Sequence, residues 1–169
     1  MYHQQRLTRQ KVARRLDLIN SLVPRQSISL PPFRYRQLED VASSPPVAPN
    51  IDDAAWDHLA PGQYWGAWNT HFVLRTTFQV PDSWAGSPVA LYLPLGESGE
   101  FGHPEALVYL DGRAYAGCDR YHQEIILAPD WCVGQEHSLA LFGWTGRGVD
   151  PDAQLLMRQC TLRRIDQPT

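Results

Sequence analysis

Hydrophobic and polar positions alternate along most of the chain, and the period changes once near the start. Val12, Leu16, Ile19 and Val23 recur at steps of four, three and four, which predicts a helix over 8–23 with one apolar stripe. Arg9, Lys11, Arg14 and Arg15 occupy much of the rest, Thr8 stands where a cap is wanted, and Pro24 ends the pattern. Basic residues near a helix N-terminus oppose its dipole, so the stripe is expected to dock on the body of the protein, with a membrane-surface helix as the alternative.

Residues 24–49 follow as an extended strap. Pro31-Pro32 and Pro45-Pro46 block regular structure, and Phe33 and Tyr35 are placed to anchor the strap by alternate burial. From about Asn50 the period becomes two. Phe72, Leu74, Thr76, Phe78 and Val80 alternate with Val73, Arg75, Thr77 and Gln79. A turn at Pro81-Asp82 leads to Val89, Leu91, Leu93 and Leu95, and a glycine-rich loop spans Gly96 to Gly102. Ala106, Val108 and Leu110 run into Asp111-Gly112, a two-residue hairpin signal, with Arg113 to Ala116 returning. Further strands are expected over 124–127, 138–142 and 155–165. Short strands with turns between them predict a β-sandwich over 50–169, preceded by helix and strap over 1–49.

Composition narrows the function. The 169 residues suit one domain, and a net charge of −3 marks neither a nucleic-acid binder nor a polybasic membrane surface. No apolar run reaches the roughly 20 residues a membrane span needs, and the basic N-terminus has no apolar stretch after it, so no secretory signal is expected. Cys118, Cys132 and Cys160 are odd in number and widely spaced, which reads as free thiols in a cytoplasmic compartment.

Four segments carry a family resemblance. Ile51 to Trp56 is an acidic turn before Trp, and Phe72 to Gly86 is a strand, a Val-Pro turn and a Trp-Ala-Gly corner. Leu107 to Gly117 displays the hairpin, and Asp119 to Leu127 reads DRYHQEIIL. Together they resemble the jelly-roll, galactose-binding-like domains of glycoside hydrolases. The Gly-x-Asp-Arg-x-His run resembles the N-terminal domain of family 38 α-mannosidases of the cytosolic and vacuolar type. That domain also begins with a helix and a Pro-rich strap, so the resemblance covers nearly the whole chain. It implies that catalysis belongs to a following zinc-dependent domain with a His-x-Asp motif, which this sequence lacks. It also implies that no cofactor is held by this domain, and that its partner is the downstream catalytic domain of the same chain.

No independent catalytic centre is legible. His3, His58, His71, His103, His122 and His137 are scattered singly, without the paired spacing of a zinc site. Glycosidase chemistry needs two carboxyl groups about 5–10 Å apart. Asp52 and Asp53 suit a turn, accepting backbone hydrogen bonds, better than they suit that role. Two sets of residues stand out as candidates. Tyr64, Trp65 and Trp68 precede the first long strand and offer faces for stacking on a sugar, or for packing in the core or against another domain. Asp119, Arg120 and His122 offer polar groups for a domain interface or a mannoside-pocket entrance, or form a local Asp–Arg surface pair. Two functions compete: a structural module of an α-mannosidase, and an autonomous module binding mannose-containing oligosaccharides. In the isolated chain, an uncovered helix stripe is expected to form a homo-oligomer.

Overall fold

The computed structural model describes residues 8–20, 24–39, 44–96, 104–147 and 152–165. The helix α1 spans Thr8–Asn20, and the strands β1 (Pro24–Ser29) and β2 (Phe33–Leu38) follow it. Then come β3 (Asp57–Leu59), β4 (Tyr64–Trp65), β5 (His71–Gln79) and β6 (Val89–Tyr92). The DG hairpin joins β7 (Glu105–Leu110) to β8 (Arg113–Cys118), and β9 (Glu124–Ile126), β10 (Glu136–Trp144), β11 (Leu155–Leu156) and β12 (Thr161–Ile165) complete the order. The glycine-rich stretch after Gly96 lies outside the described residues.

Among the described residues, the strands form two antiparallel sheets face to face and a short ribbon. One sheet has the order β3-β2-β5-β10-β7-β8, the other β1-β12-β6-β9, and β4 pairs with β11 in the ribbon. The hairpin forms as expected: Asp111 and Gly112 both take positive φ, at 47° and 77°, as a tight two-residue turn requires. The core lies between the sheets. Phe72, Leu74 and Phe78 of β5, Leu139 and Leu141 of β10, and Val108 and Leu110 of β7 meet Leu91, Ile125 and Leu162 from the other sheet. Burying one such side chain contributes about 1.5–3 kcal/mol.

The strap is woven into the sandwich. β1 pairs with β12, from Pro24↔Ile165 to Ser29↔Thr161, and β2 pairs with both β3 and β5. Phe33 is buried and Tyr35 packs against the core, as their alternation predicts. Pro31-Pro32 falls between the two strands, where the chain leaves one sheet for the other. Residues 44–56 then cross the outer face of the six-stranded sheet, where Val47 packs with Val73 and Ala140.

The expected docking of the helix does not occur. Val12, Leu16, Leu18 and Ile19 are all exposed, so no described part of the sandwich covers the stripe. No helix among the described residues is long and apolar enough to cross a membrane.

Candidate functional site: the open mouth of the sandwich

The strand β2, between the edge strand β3 and β5, positions the site. Its inward positions are Phe33, Tyr35 and Gln37, because residues directly opposite in an antiparallel pair share a face. Phe33 pairs with core Leu59, Tyr35 with Asp57 and core Leu74, and Gln37 with core Phe72. The inner face is apolar at Phe33 and turns polar at Tyr35, Asp57 and Gln37. Tyr35 is half-buried there, Gln37 and Asp57 are exposed, and a cleft lies beside them.

A cleft of about 470–690 Å³ marks each of two places on the six-stranded sheet, and the larger, at 690 Å³, lies at this mouth. Tyr35, Gln37, Asp57, Gln63, Tyr64 and Gln154 line it, with Trp65 beneath. The ribbon forms one wall, with Leu155 opposite Trp65 and Leu156 opposite Tyr64. Two adjacent residues of β4 therefore part ways. Trp65 is 3% exposed, while Tyr64 is 68% exposed.

Of the two readings the sequence left for Trp65, core packing or sugar contact, the structure shows core packing. Its Nε1 donates to the Leu95 carbonyl at 2.9 Å, and its ring meets Tyr35 and Phe72 edge-on at 5.7 and 4.9 Å. Trp68 is exposed but does not line the cleft. Tyr64 and Trp65 both line the cleft, and of these two Tyr64 is the exposed one.

The polar groups of the mouth are available. Among the described residues, Tyr35 Oη, the Gln37 amide, the Asp57 carboxylate and Tyr64 Oη make no hydrogen bond within the chain. Gln63 Oε1 accepts from the Ala60 N–H at 2.6 Å, which orients its amide nitrogen. Burial first, and then the Asp57 charge, raise the Tyr35 hydroxyl above its ordinary range, so it stays a proton donor.

The DRYH segment is a self-contained turn. Asp119 Oδ1 accepts from the Tyr121 and His122 N–H groups at 2.7 and 2.9 Å, and the carboxylate lies 2.9 Å from His122 Nδ1. The expected Asp–Arg pair is corrected: the partner of Asp119 is His122, while the Arg120 guanidinium lies 5.9 Å from the Tyr121 ring centre. The run also divides between two further clefts. Asp119 lines one of about 470 Å³ with His71, Glu105 and Trp144, and Arg120 lines another of about 400 Å³ with Tyr92 and Arg158. Asp119 and His122 therefore meet, while Arg120 lines a different cleft.

The acidic turn is half as expected. Asp52 Oδ1 accepts from the Ala54 N–H at 3.1 Å. Asp53 instead binds a guanidinium, since Arg75 Nε donates to its Oδ2 at 2.8 Å. Among the described residues, no group of three or more His, Cys, Asp or Glu side chains is placed to hold a metal ion.

Two face-to-face antiparallel sheets around one core define a β-sandwich domain. Residues 35–144 match the family model for the jelly-roll domain of α-mannosidase. The chain belongs to that family. No curated protein sequence matches it. Solved structures share the fold. A calcium-binding mutant of Bacteroides uniformis β-glucuronidase 2 is similar with a TM-score of 0.59 and 14% identity, over 82% of this chain and 18% of that one. A β-glycosidase from Bacteroides vulgatus is similar with a TM-score of 0.55 and 16% identity, over 81% of this chain and 20% of that one. This chain thus spans a fifth or less of the length of those solved chains.

Of the residues lining the cleft, Tyr64 and Trp65 were marked as candidates by the sequence, and Tyr35, Gln37, Asp57, Gln63 and Gln154 were not. One signal was present: the alternation Phe33, Tyr35, Gln37 becomes progressively more polar along one face.

Proposed function

We propose that this chain is the non-catalytic N-terminal domain of a family 38 α-mannosidase, and that it packs against and supports a zinc-dependent catalytic domain. The match of residues 35–144 to the α-mannosidase jelly-roll family carries this reading. The substrate of the whole enzyme is an α-mannoside, and the zinc belongs to the following domain through its His-x-Asp motif. The exposed stripe Val12, Leu16 and Ile19 supplies a contact surface for that domain, since burying it removes apolar area from water. Without its partner, the same stripe favours self-association of the isolated chain. Free Cys118, Cys132 and Cys160 fit a cytoplasmic setting.

The test begins with the reading frame beyond Thr169, where a His-x-Asp segment is expected; a frame without one overturns the proposal. In the full-length enzyme, Leu16→Glu with Ile19→Glu is expected to lower the thermal midpoint while the isolated sandwich keeps its own. Equal midpoints for the full-length variant and wild type would remove the helix from the interface.

A further inference from the structure

We propose that two copies of this chain pair by exchanging helices, the apolar stripe of each α1 seating in a groove on the outer face of the other's six-stranded sheet. This rests on the reading of the stripe as a contact surface, and it names the acceptor. The groove is the cleft of about 470 Å³ lined by Leu107, Phe142, Trp144, Gly117, Glu105 and Asp119. Register places Phe142, Leu107 and Gly117 in one row across β10, β7 and β8. Leu107 is exposed, and Phe142 and Trp144 are half-buried. Gly117 adds no side chain to the row, and a Cβ there would meet open space. Residues 44–56 cover Val73 and Ala140 on the same face and do not line the cleft.

Charge and length select the occupant. α1 carries Arg9, Lys11, Arg14 and Arg15 against Asp17 alone. Arg9 stands three residues before Val12, and Arg15 three after it and four before Ile19, so both flank the stripe. The groove ends in acids. Ala106 pairs with Cys118, so Glu105 and Asp119, one step beyond, are neighbours on adjoining strands. His122 holds Asp119, while Glu105 is exposed and enters no ion pair among the described residues. Among the described residues no Lys or Arg lines the groove. An apolar floor bounded by carboxylates thus faces an apolar stripe bounded by guanidiniums, and such complementarity fixes partner and register. Val12 to Ile19 rises about 10 Å along the helix, and the groove, from β5 to β8, crosses three strand spacings or about 14 Å.

A chain cannot fill its own groove. Asn20 and Pro24 are four residues apart, at most about 14 Å. Pro24 pairs with Ile165 at the edge of the opposite sheet, and the Ile165 N–H donates to the Pro88 carbonyl at one end of β6. Cys118, at the groove, lies beside Leu93 at the other end, its Sγ 3.7 Å from that carbonyl. Five residues of strand separate the two ends, about 17 Å, and the sheets stand about 10 Å apart, so the way round exceeds the tether. A second copy has no such limit. A two-fold axis lets each helix fill the other's groove, which closes the pair and leaves no stripe or groove to extend it.

The experiment measures the mass of the 169-residue chain by light scattering from dilute to concentrated solution, with near-ultraviolet circular dichroism to show that each variant is folded. The wild type is expected to dimerise on concentration, and Leu16→Glu and Leu107→Glu are each expected to remain monomeric. Val133→Glu, an exposed apolar position outside the groove, is expected to leave the dimer unchanged. Glu105→Arg is expected to weaken the dimer about tenfold, and combining it with Arg9→Glu and Arg15→Glu is expected to recover most of the loss. A monomer at every concentration overturns the proposal, as does a charge-swapped combination that recovers nothing. A dimer that is lost with Leu16→Glu and kept with folded Leu107→Glu overturns the groove and leaves the stripe as a contact surface in force. A dimer that survives Leu16→Glu overturns both.

Discussion

Arg75 Nε donates to Asp53 Oδ2 at 2.8 Å from the outer face of the six-stranded sheet, and the guanidinium is almost fully buried. The same guanidinium donates through Nη1 to the Ala48 and Pro46 carbonyls at 2.9 and 3.4 Å, and through Nη2 to the Pro49 carbonyl at 3.3 Å. Proline has no N–H and the turn cannot pair with a strand, so one arginine satisfies carbonyls that a sheet ladder would otherwise take. The pair fastens residues 46–53 over Val73 and Ala140.

Asp53→Ala is therefore expected to destabilise the chain by about 2–3 kcal/mol, because it leaves a buried cation without its counter-charge. Part of the Asp53 side chain faces water, so the loss falls below that of a fully buried pair. A urea titration with an unchanged slope and a lower midpoint is the expected result. An unchanged midpoint would show that the carbonyls alone hold Arg75.

His137 gives a second stability prediction. It is 1% exposed, its Nδ1 lies 2.8 Å from Asp111 Oδ2, and its Nε2 is buried without a hydrogen-bond partner. Phe78 and Trp131 pack on its ring at centroid distances of 5.3 and 5.1 Å. Asp111 keeps its bond from the Ser138 N–H at 2.8 Å and is partly solvated. His137→Leu is expected to change stability by under about 1.5 kcal/mol, since it removes the orphan atom and nearly keeps the volume. His137→Ala is expected to cost about 3 kcal/mol through the cavity. Thermal unfolding of both variants checks the order.

The DRYH turn should respond to acid. The Asp119 carboxyl is held below the ordinary aspartate range, first by its hydrogen bond with His122 and then by the Tyr121 N–H. A depressed folded value means that the turn's contribution is present above the ordinary aspartate value and is lost as pH falls through the depressed one. A carbon-detected NMR titration should find the Asp119 midpoint below that of an unstructured aspartate. His122→Ala should move it upward, and no movement would refute the pairing.

The three thiols should differ in reactivity. Burial, and then the Asp119 charge, push the Cys118 thiol up to about 12, and burial raises Cys160 strongly. Cys132 is only partly buried and its rise is smaller in cause, with burial alone acting. The thiolate is the nucleophile, so iodoacetamide at mildly alkaline pH should label Cys132 first. Mass spectrometry of the native protein that finds Cys118 or Cys160 modified first would contradict this order.

Much of the sandwich was legible in the chain. β5, β7 and β10 announce themselves by period two, and the DG pair announces its hairpin, because burial of one sheet face repeats every second residue. β1 was not legible. Its residues PRQSIS carry no apolar alternation, and what makes them a strand is β12, more than 130 positions away. The strap's second strand was half legible: Phe33 and Tyr35 show the anchoring, but not the pairing with β3 and β5.

The candidate site divides in the same way. Tyr64 and Trp65 are neighbours of similar chemistry, and the sequence alone marks both as available aromatics. Only the register of β4 on β11 sends one into the core and leaves the other at the cleft. Arg75 likewise reads as an outward, solvated charge, until the strap crosses the sheet and buries it. The sequence by itself determined the class of fold, since periodicity is a local property of burial. The tertiary structure decided which polar residues face the mouth, because that depends on strands distant in the chain meeting in one register.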